Sequence, residues 1–193
     1  MKKLIGLNKV KTAVFISGNG SNLKSLIKFS ILKSSPINVS IVISNDPKAK
    51  GLKISKKYKI KNKIFNFHNQ IIDENNIIKL LKKNKINLIC LAGFMKILSK
   101  SFVKNFKGKI LNIHPSLLPK YKGLNTHERA IKNKDKYSGC TVHFVNSRLD
   151  SGKIINQKKV RIKKLDTPKT LAKRILIHEH KIYPAAIIKA LSL

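Results

Sequence analysis

Asn112-Ile113-His114-Pro115 is the stretch whose residue types and spacing are best suited to chemistry. Side chains two apart on a strand project to the same side, so Asn112 and His114 point together while Ile113 turns into a packed layer. Pro115 ends the strand and places both polar groups at its carboxyl edge, where open α/β folds bind ligands. An Asn amide can donate to a developing oxyanion, and an imidazole can donate or accept near neutral pH. The same spacing also fits a strand end with two satisfied polar residues.

Four other segments carry candidate groups. Pro115-Ser116-Leu117-Leu118-Pro119 is a rigid apolar turn, and either proline is able to take a cis bond. Leu149-Asp150-Ser151-Gly152 reads first as a turn. A carboxylate there that met His114 would fix one imidazole tautomer and raise its pKa. Gly18-Asn19-Gly20-Ser21-Asn22 follows a strand and opens a helix, so it offers either a phosphate cradle or a tight turn. Leu23 stands where a dinucleotide fingerprint needs its third glycine and no Walker lysine follows, which favours a mononucleotide. Glu179 falls on or beside the apolar face of the last helix, four after Ile175 and three before Ile182. A carboxylate there needs a partner, either ribose hydroxyls or a nearby cation. His127, His143, His178 and His180 read as structural histidines. Cys90 and Cys140 sit in apolar or β-branched runs without metal-ligand spacing, so both read as buried free thiols of a reducing compartment.

The elements that must position these groups alternate between short apolar runs and amphipathic stretches, the pattern of a parallel sheet wrapped by helices. A first strand covers 12–17, and a helix follows with Leu23, Leu26, Ile27 and Ile31 on one face. Next come a strand at 38–43, a helix at 49–58, a strand at 63–67 and a helix to Lys83 capped by Asp73. Residues 87–92 form an uncharged central strand and 109–114 another. Strands at 140–145 and 153–162 have no helix between them and so pair antiparallel. Thr167-Pro168 opens a long final helix with a hydroxyl cap and proline in its first turn.

At 193 residues the chain suits one domain, residues 1–193, with 1–11 as a short N-terminal extension. The apolar stretch at Leu4–Leu7 is too short for a signal peptide, and no run is long enough to span a bilayer, which favours a cytoplasmic protein. The formal charge of +34 comes from 42 Lys and Arg against 8 Asp and Glu. Taken alone it suggests a nucleic-acid partner. The lysines, however, are spread over every segment and accompany abundant Asn and Ile with only four arginines. That is the residue set of A/T-rich codons, and base drift accounts for it. The field still favours small anionic ligands.

Taken together and in order, six segments closely resemble phosphoribosylglycinamide formyltransferase: Ile16–Asn22, Leu91–Leu98, Leu111–His127, Val142–Val145, Leu149–Gly152 and Glu179–Pro184. The resemblance covers about Ala13 to Ile188. It implies an α/β, Rossmann-like formyltransferase fold, a mostly parallel central sheet with helices on both faces and antiparallel strands in the C-terminal part. It further implies metal-independent formyl transfer from 10-formyltetrahydrofolate to glycinamide ribonucleotide in purine synthesis, by a monomer or weak homodimer that needs no nucleic acid or membrane. Asn112, His114 and Asp150 match the family's catalytic residues, with protonated His114 and Asn112 donating to the oxyanion. Gly20, Ser21 and Asn22 match the phosphate segment, and Glu179 the ribose contact. Met95, Lys96, Ile97 and Leu98, with Asn112 and the loop Asn146, Ser147, Arg148, Leu149 and Asp150, match the folate pocket. No counterpart of a folate-tail Arg stands around Asp73–Asn75, and Leu176 replaces a Gln found in some members; the abundant lysines offer compensation for these outer contacts. Methionyl-tRNA formyltransferase shares the Asn-x-His and Ser-Leu-Leu-Pro but carries a further C-terminal domain, and formyltetrahydrofolate deformylase carries an extra N-terminal one. A basic nucleic-acid-binding module would need an RNP or helix-turn-helix pattern, which is missing.

Overall fold

The computed structural model describes residues 9–192. Most of the expected N-terminal extension therefore lies outside the described residues, and its last two positions already belong to the first strand. The chain divides into two compact units, Met1–Ile110 and Leu111–Leu193.

The first unit contains β1 (Val10–Ile16), α1 (Ser21–Ser30), β2 (Ile37–Ser44), α2 (Gly51–Lys57), β3 (Lys61–Ile64), α3 (Gln70–Lys83), β4 (Leu88–Leu91) and α4 (Lys100–Asn105). The strands run in the order β3-β2-β1-β4, and every pair is parallel. The uncharged runs Ala13 through Ile16 of β1 and Leu88 through Cys90 of β4 are fully buried. Each buried Val, Ile, Leu or Phe among them contributes roughly 1.5–3 kcal/mol by leaving water. Phe94 stacks edge-on against Phe15 and Phe67, with ring centroids 5.4 and 5.6 Å apart.

Local chemistry moved several expected boundaries. Asn69, not Asp73, caps α3, accepting from the Ile72 N–H, while Asp73 reaches back to the Phe67 N–H at 2.8 Å. An acid in the first turn is favourable there without being the cap. Ile31 does not share the buried face of α1. The helix ends at Ser30, and Ile31 is the exposed C-cap residue. β3 lies earlier than expected, at Lys61–Ile64.

The second unit contains the last four residues of β5 (Lys109–His114), then α5 (Thr126–Lys132), β6 (Tyr137–Phe144), β7 (Ile154–Arg161) and α6 (Pro168–Leu191). β6 pairs antiparallel with both β5 and β7, as the missing helix between β6 and β7 predicts. α6 starts with the expected Thr167 cap, completed by Thr170 as a capping box. It packs against β6, β7 and α5. Leu171, Ile175, Tyr183, Ala186 and Ile187 have no exposed surface, and the Tyr183 hydroxyl donates to the Leu111 carbonyl at 3.1 Å, fixing α6 to β5.

Candidate active site

The pleat of β5 places Asn112 and His114 on one face, with His114 buried. In the ladder with β6, Asn112 lies directly opposite His143. Opposed residues on an antiparallel pair share a face, so register alone adds a second imidazole to the Asn-x-His pair. Asp150 comes from the β6–β7 connection, in a left-handed conformation with φ 45°. That connection can close because residue 152 is glycine: a Cβ there would lie 1.7 Å from the Phe144 carbonyl oxygen.

The four polar side chains converge. Asp150 Oδ2 lies 3.4 Å from His114 Nδ1, and Oδ1 lies 3.6 Å from His143 Nε2. The Asn112 amide nitrogen is 3.3 Å from His143 Nε2 and donates to Asp150 Oδ1 at 3.4 Å. The Gly123 N–H donates to Asp150 Oδ2 at 2.9 Å. His114 Nε2 sits 2.8 Å from the Tyr121 carbonyl. A carbonyl only accepts, so Nε2 carries the proton and Nδ1 is the nitrogen turned to Asp150. His143 Nδ1 is likewise committed to the Phe144 carbonyl at 2.8 Å, which turns Nε2 toward Asn112 and Asp150.

At His114, burial works against the neighbouring carboxylate. Burial lowers the His114 pKa below its ordinary value, outweighing the Tyr121 carbonyl and Asp150, which act to raise it. The charges of His143 and Arg129 add to the lowering. Burial thus favours the neutral ring, while the Asp150 carboxylate acts on it in the expected sense, upward. For Asp150, burial acts upward but is outweighed by the contact with His143, the Gly123 N–H and the charges of His114 and His143, so its pKa is lowered. A neutral imidazole with its Nδ1 facing a carboxylate is an arrangement ready to take up a proton.

The other expected positions fall elsewhere. Glu179 is buried on α6. Burial pushes the Cys140 thiol up to about 12, and the charge of Glu179 contributes. Both cysteines are free and buried, as read from the sequence. Asn146 through Leu149 are exposed on the connection that ends in Asp150. In the first unit, Gly20 is the N-cap of α1 with φ 74°, and no side chain caps that helix. A Cβ on Gly20 would come 2.6 Å from the Gly51 Cα, so glycine is required there by packing as well as by conformation. Ser21 and Asn22 begin the helix. Met95, Lys96 and Ile97 are exposed and Leu98 is buried. The Met95 N–H donates to Ser17 Oγ at 2.7 Å, and Ser17 Oγ donates to Asn45 Oδ1. The Leu118–Pro119 bond is cis.

The chain matches the formyl transferase family over residues 10–187. It is 44% identical to the phosphoribosylglycinamide formyltransferase of Haemophilus influenzae, over 92% of this chain and 85% of that protein. It is 35% identical to the Bacillus subtilis enzyme of the same name, over 95% of each. A crystal structure of phosphoribosylglycinamide formyltransferase from Brucella melitensis superposes with a TM-score of 0.88 at 39% identity, covering 93% of this chain and 94% of that one. This chain belongs to the phosphoribosylglycinamide formyltransferase family. It also matches the human trifunctional purine biosynthetic protein adenosine-3 at 44% identity, and there it spans only 18% of the relative's length.

Within this formyltransferase fold, the three residues singled out in the sequence, Asn112, His114 and Asp150, are together in the second unit. His143 was read as structural and belongs to the same cluster. The signal for it was the antiparallel pairing of β5 with β6, which locates His143 only once the register is known. Tyr121 and Gly123 contribute through backbone atoms, for which side-chain chemistry gives no signal. Among the described residues, no group of three or more His, Cys, Asp or Glu side chains is placed to hold a metal ion, and no helix is long and apolar enough to cross a membrane.

Proposed function

We propose that this chain transfers the formyl group of 10-formyltetrahydrofolate to the glycinamide amine of N1-(5-phosphoribosyl)glycinamide, giving formylglycinamide ribonucleotide and tetrahydrofolate. The observation that carries this reading is the convergence of Asn112, His114 and Asp150 in a chain matched to one formyl transferase family from residue 10 to 187. The reading treats that span as a single catalytic domain acting in the cytoplasm on two small anions, as a monomer or weak homodimer, with no metal, nucleic acid or membrane involved.

In the reaction, the neutral amine attacks the formyl carbon, a C–N bond forms, and the carbonyl oxygen becomes an oxyanion. The Asn112 amide holds its partners at 3.3 and 3.4 Å, long contacts that cost little to exchange for a shorter one to the oxyanion. A donor in that role is typically worth about 3 kcal/mol. The proton that the amine must lose has His114 Nδ1 to receive it, and Asp150 beside that nitrogen stabilises the resulting imidazolium. The proton passes to the folate nitrogen as its bond to the formyl carbon breaks, which returns His114 to neutral. Gly20, Ser21 and Asn22 hold the phosphate, Glu179 the ribose hydroxyls, and Met95 through Leu98 with Asn146 through Asp150 the folate. The excess of positive charge favours both anionic ligands.

The test is an incubation with 10-formyltetrahydrofolate in the presence and absence of the nucleotide, following the deformylated folate by absorbance. Product formation that depends on the nucleotide is expected. Equal rates without it would identify a folate hydrolase instead.

A further inference from the structure

The loop carrying the two backbone groups that hold the His114–Asp150 pair is not built to keep its own shape. Tyr121 and Asn125 both have positive φ, 55° and 56°, and Gly123 has φ 77°. Two of these three conformations are ones that non-glycine residues rarely adopt, and they persist only where the surroundings impose them.

On one side the constraint comes from Asp135, which accepts from the Tyr121 hydroxyl at 2.8 Å. On the other it comes from Arg129 in α5. Arg129 Nη1 donates to the Lys122 carbonyl at 2.7 Å and to the Leu124 carbonyl at 3.3 Å, the carbonyls of the two residues on either side of Gly123. Its guanidinium also lies over the Tyr121 ring, 5.0 Å from the centroid. One planar side chain thus fixes the loop at residues 121, 122 and 124. A lysine carries the same charge but lacks the planar fork that stacks on a ring while donating to carbonyls. This chain uses lysine almost everywhere a cation is needed and has only four arginines, so the type at 129 is informative.

We propose that Arg129 is a positioning residue for formyl transfer, clamping the 121–124 loop so that the Tyr121 carbonyl stays on His114 and the Gly123 N–H stays on Asp150. The proposal rests on the reading that His114 and Asp150 carry the transfer. Arg129 is exposed and touches no reacting group, so its effect runs through the loop.

Arg129→Lys tests it, because the charge is kept while the stack and the double carbonyl contact are lost. The charged and titratable groups that influence the His114–Asp150 pair are His143 from β6 and His127 and Arg129 from α5. With a cation retained at 129, a shift in the titration of Asp150 reports the loop and not the field. The expected result is a kcat lower by about tenfold, as a displaced catalytic group gives, with both KM values within twofold. The thermal midpoint should stay within about 2 °C of wild type, as for an exposed substitution. Carboxyl 13C NMR of the free protein should show Asp150 titrating at higher pH, since the Gly123 N–H that lowers it is no longer held in place. A kcat within twofold of wild type overturns the proposal, and so does an unmoved Asp150 titration. If the unsubstituted protein transfers no formyl group, it is the functional reading that fails, and the Asp150 titration still decides whether Arg129 holds the loop.

Discussion

Asp150→Asn removes the charge beside His114 together with one of two accepting oxygens, the one that receives the long contact from the Asn112 amide. Asn has the same shape, tolerates the left-handed conformation at φ 45°, and keeps an oxygen to accept the Gly123 N–H. The larger loss is the attraction to an imidazolium formed 3.4 Å away during proton uptake. Two unit charges about 4 Å apart at an effective dielectric near 20 attract by roughly 4 kcal/mol. Partial charge development in the transition state reduces this to about 3 kcal/mol, which is about a hundredfold in kcat. Because the carboxylate acts on a charge absent from the ground state, both KM values should change less than threefold. The assay is steady-state release of deformylated folate with each substrate varied, accompanied by a thermal melt to show that the variant is folded. A folded Asp150→Asn protein with kcat within threefold of wild type would refute the role given to this carboxylate.

Three further expectations follow from the same geometry. Gly20→Ala should lower stability by about 2–4 kcal/mol, combining a left-handed alanine with overpacking against Gly51. Gly18→Ala meets nothing within 4 Å and should change stability by less than about 0.5 kcal/mol, so chemical denaturation separates the two, and Gly18 is the better position for probing ligand binding at this loop. His143→Ala leaves Asn112 without the ring nitrogen 3.3 Å from its amide and should lower kcat about tenfold, while a wild-type rate would return His143 to a purely structural role. Burial lowers the pKa values of His114, His127 and His180 on folding. Groups kept neutral by the fold bind protons more readily when unfolded, so stability should be fully present above about pH 6.5 and fall as pH drops through and below that value. Urea midpoints that stay level from pH 7.5 to 5.5 would contradict this.

The sequence was most legible where one constraint acts alone. The buried part of β1 (13–16) and β4 are uncharged apolar runs because both faces are covered, and the 109–114 strand ends at a proline, so its limits could be read directly. Thr167-Pro168 announced α6 through the chemistry of its first turn. Legibility failed where several weak preferences compete. Asn69 and Asp73 are both good caps for α3, and only the path of the preceding residues decides between them. The six- and seven-residue helices α4 and α5 are too short to show a period, and α5 is the element that carries Arg129. In the site, Asn112, His114 and Asp150 could be named from their motifs. The lowering of the His114 pKa could not, because it depends on how deeply the ring is buried, and neither could the backbone contacts from Tyr121 and Gly123.

The most direct test of the account follows the formyl carbon itself. With 13C-formyl-labelled 10-formyltetrahydrofolate and glycinamide ribonucleotide bearing a 15N amine, NMR should show a one-bond 13C–15N coupling growing in step with tetrahydrofolate, with no free formate. Label accumulating as formate, or appearing on no nitrogen while the folate is consumed, would contradict transfer at the Asn112–His114–Asp150 cluster.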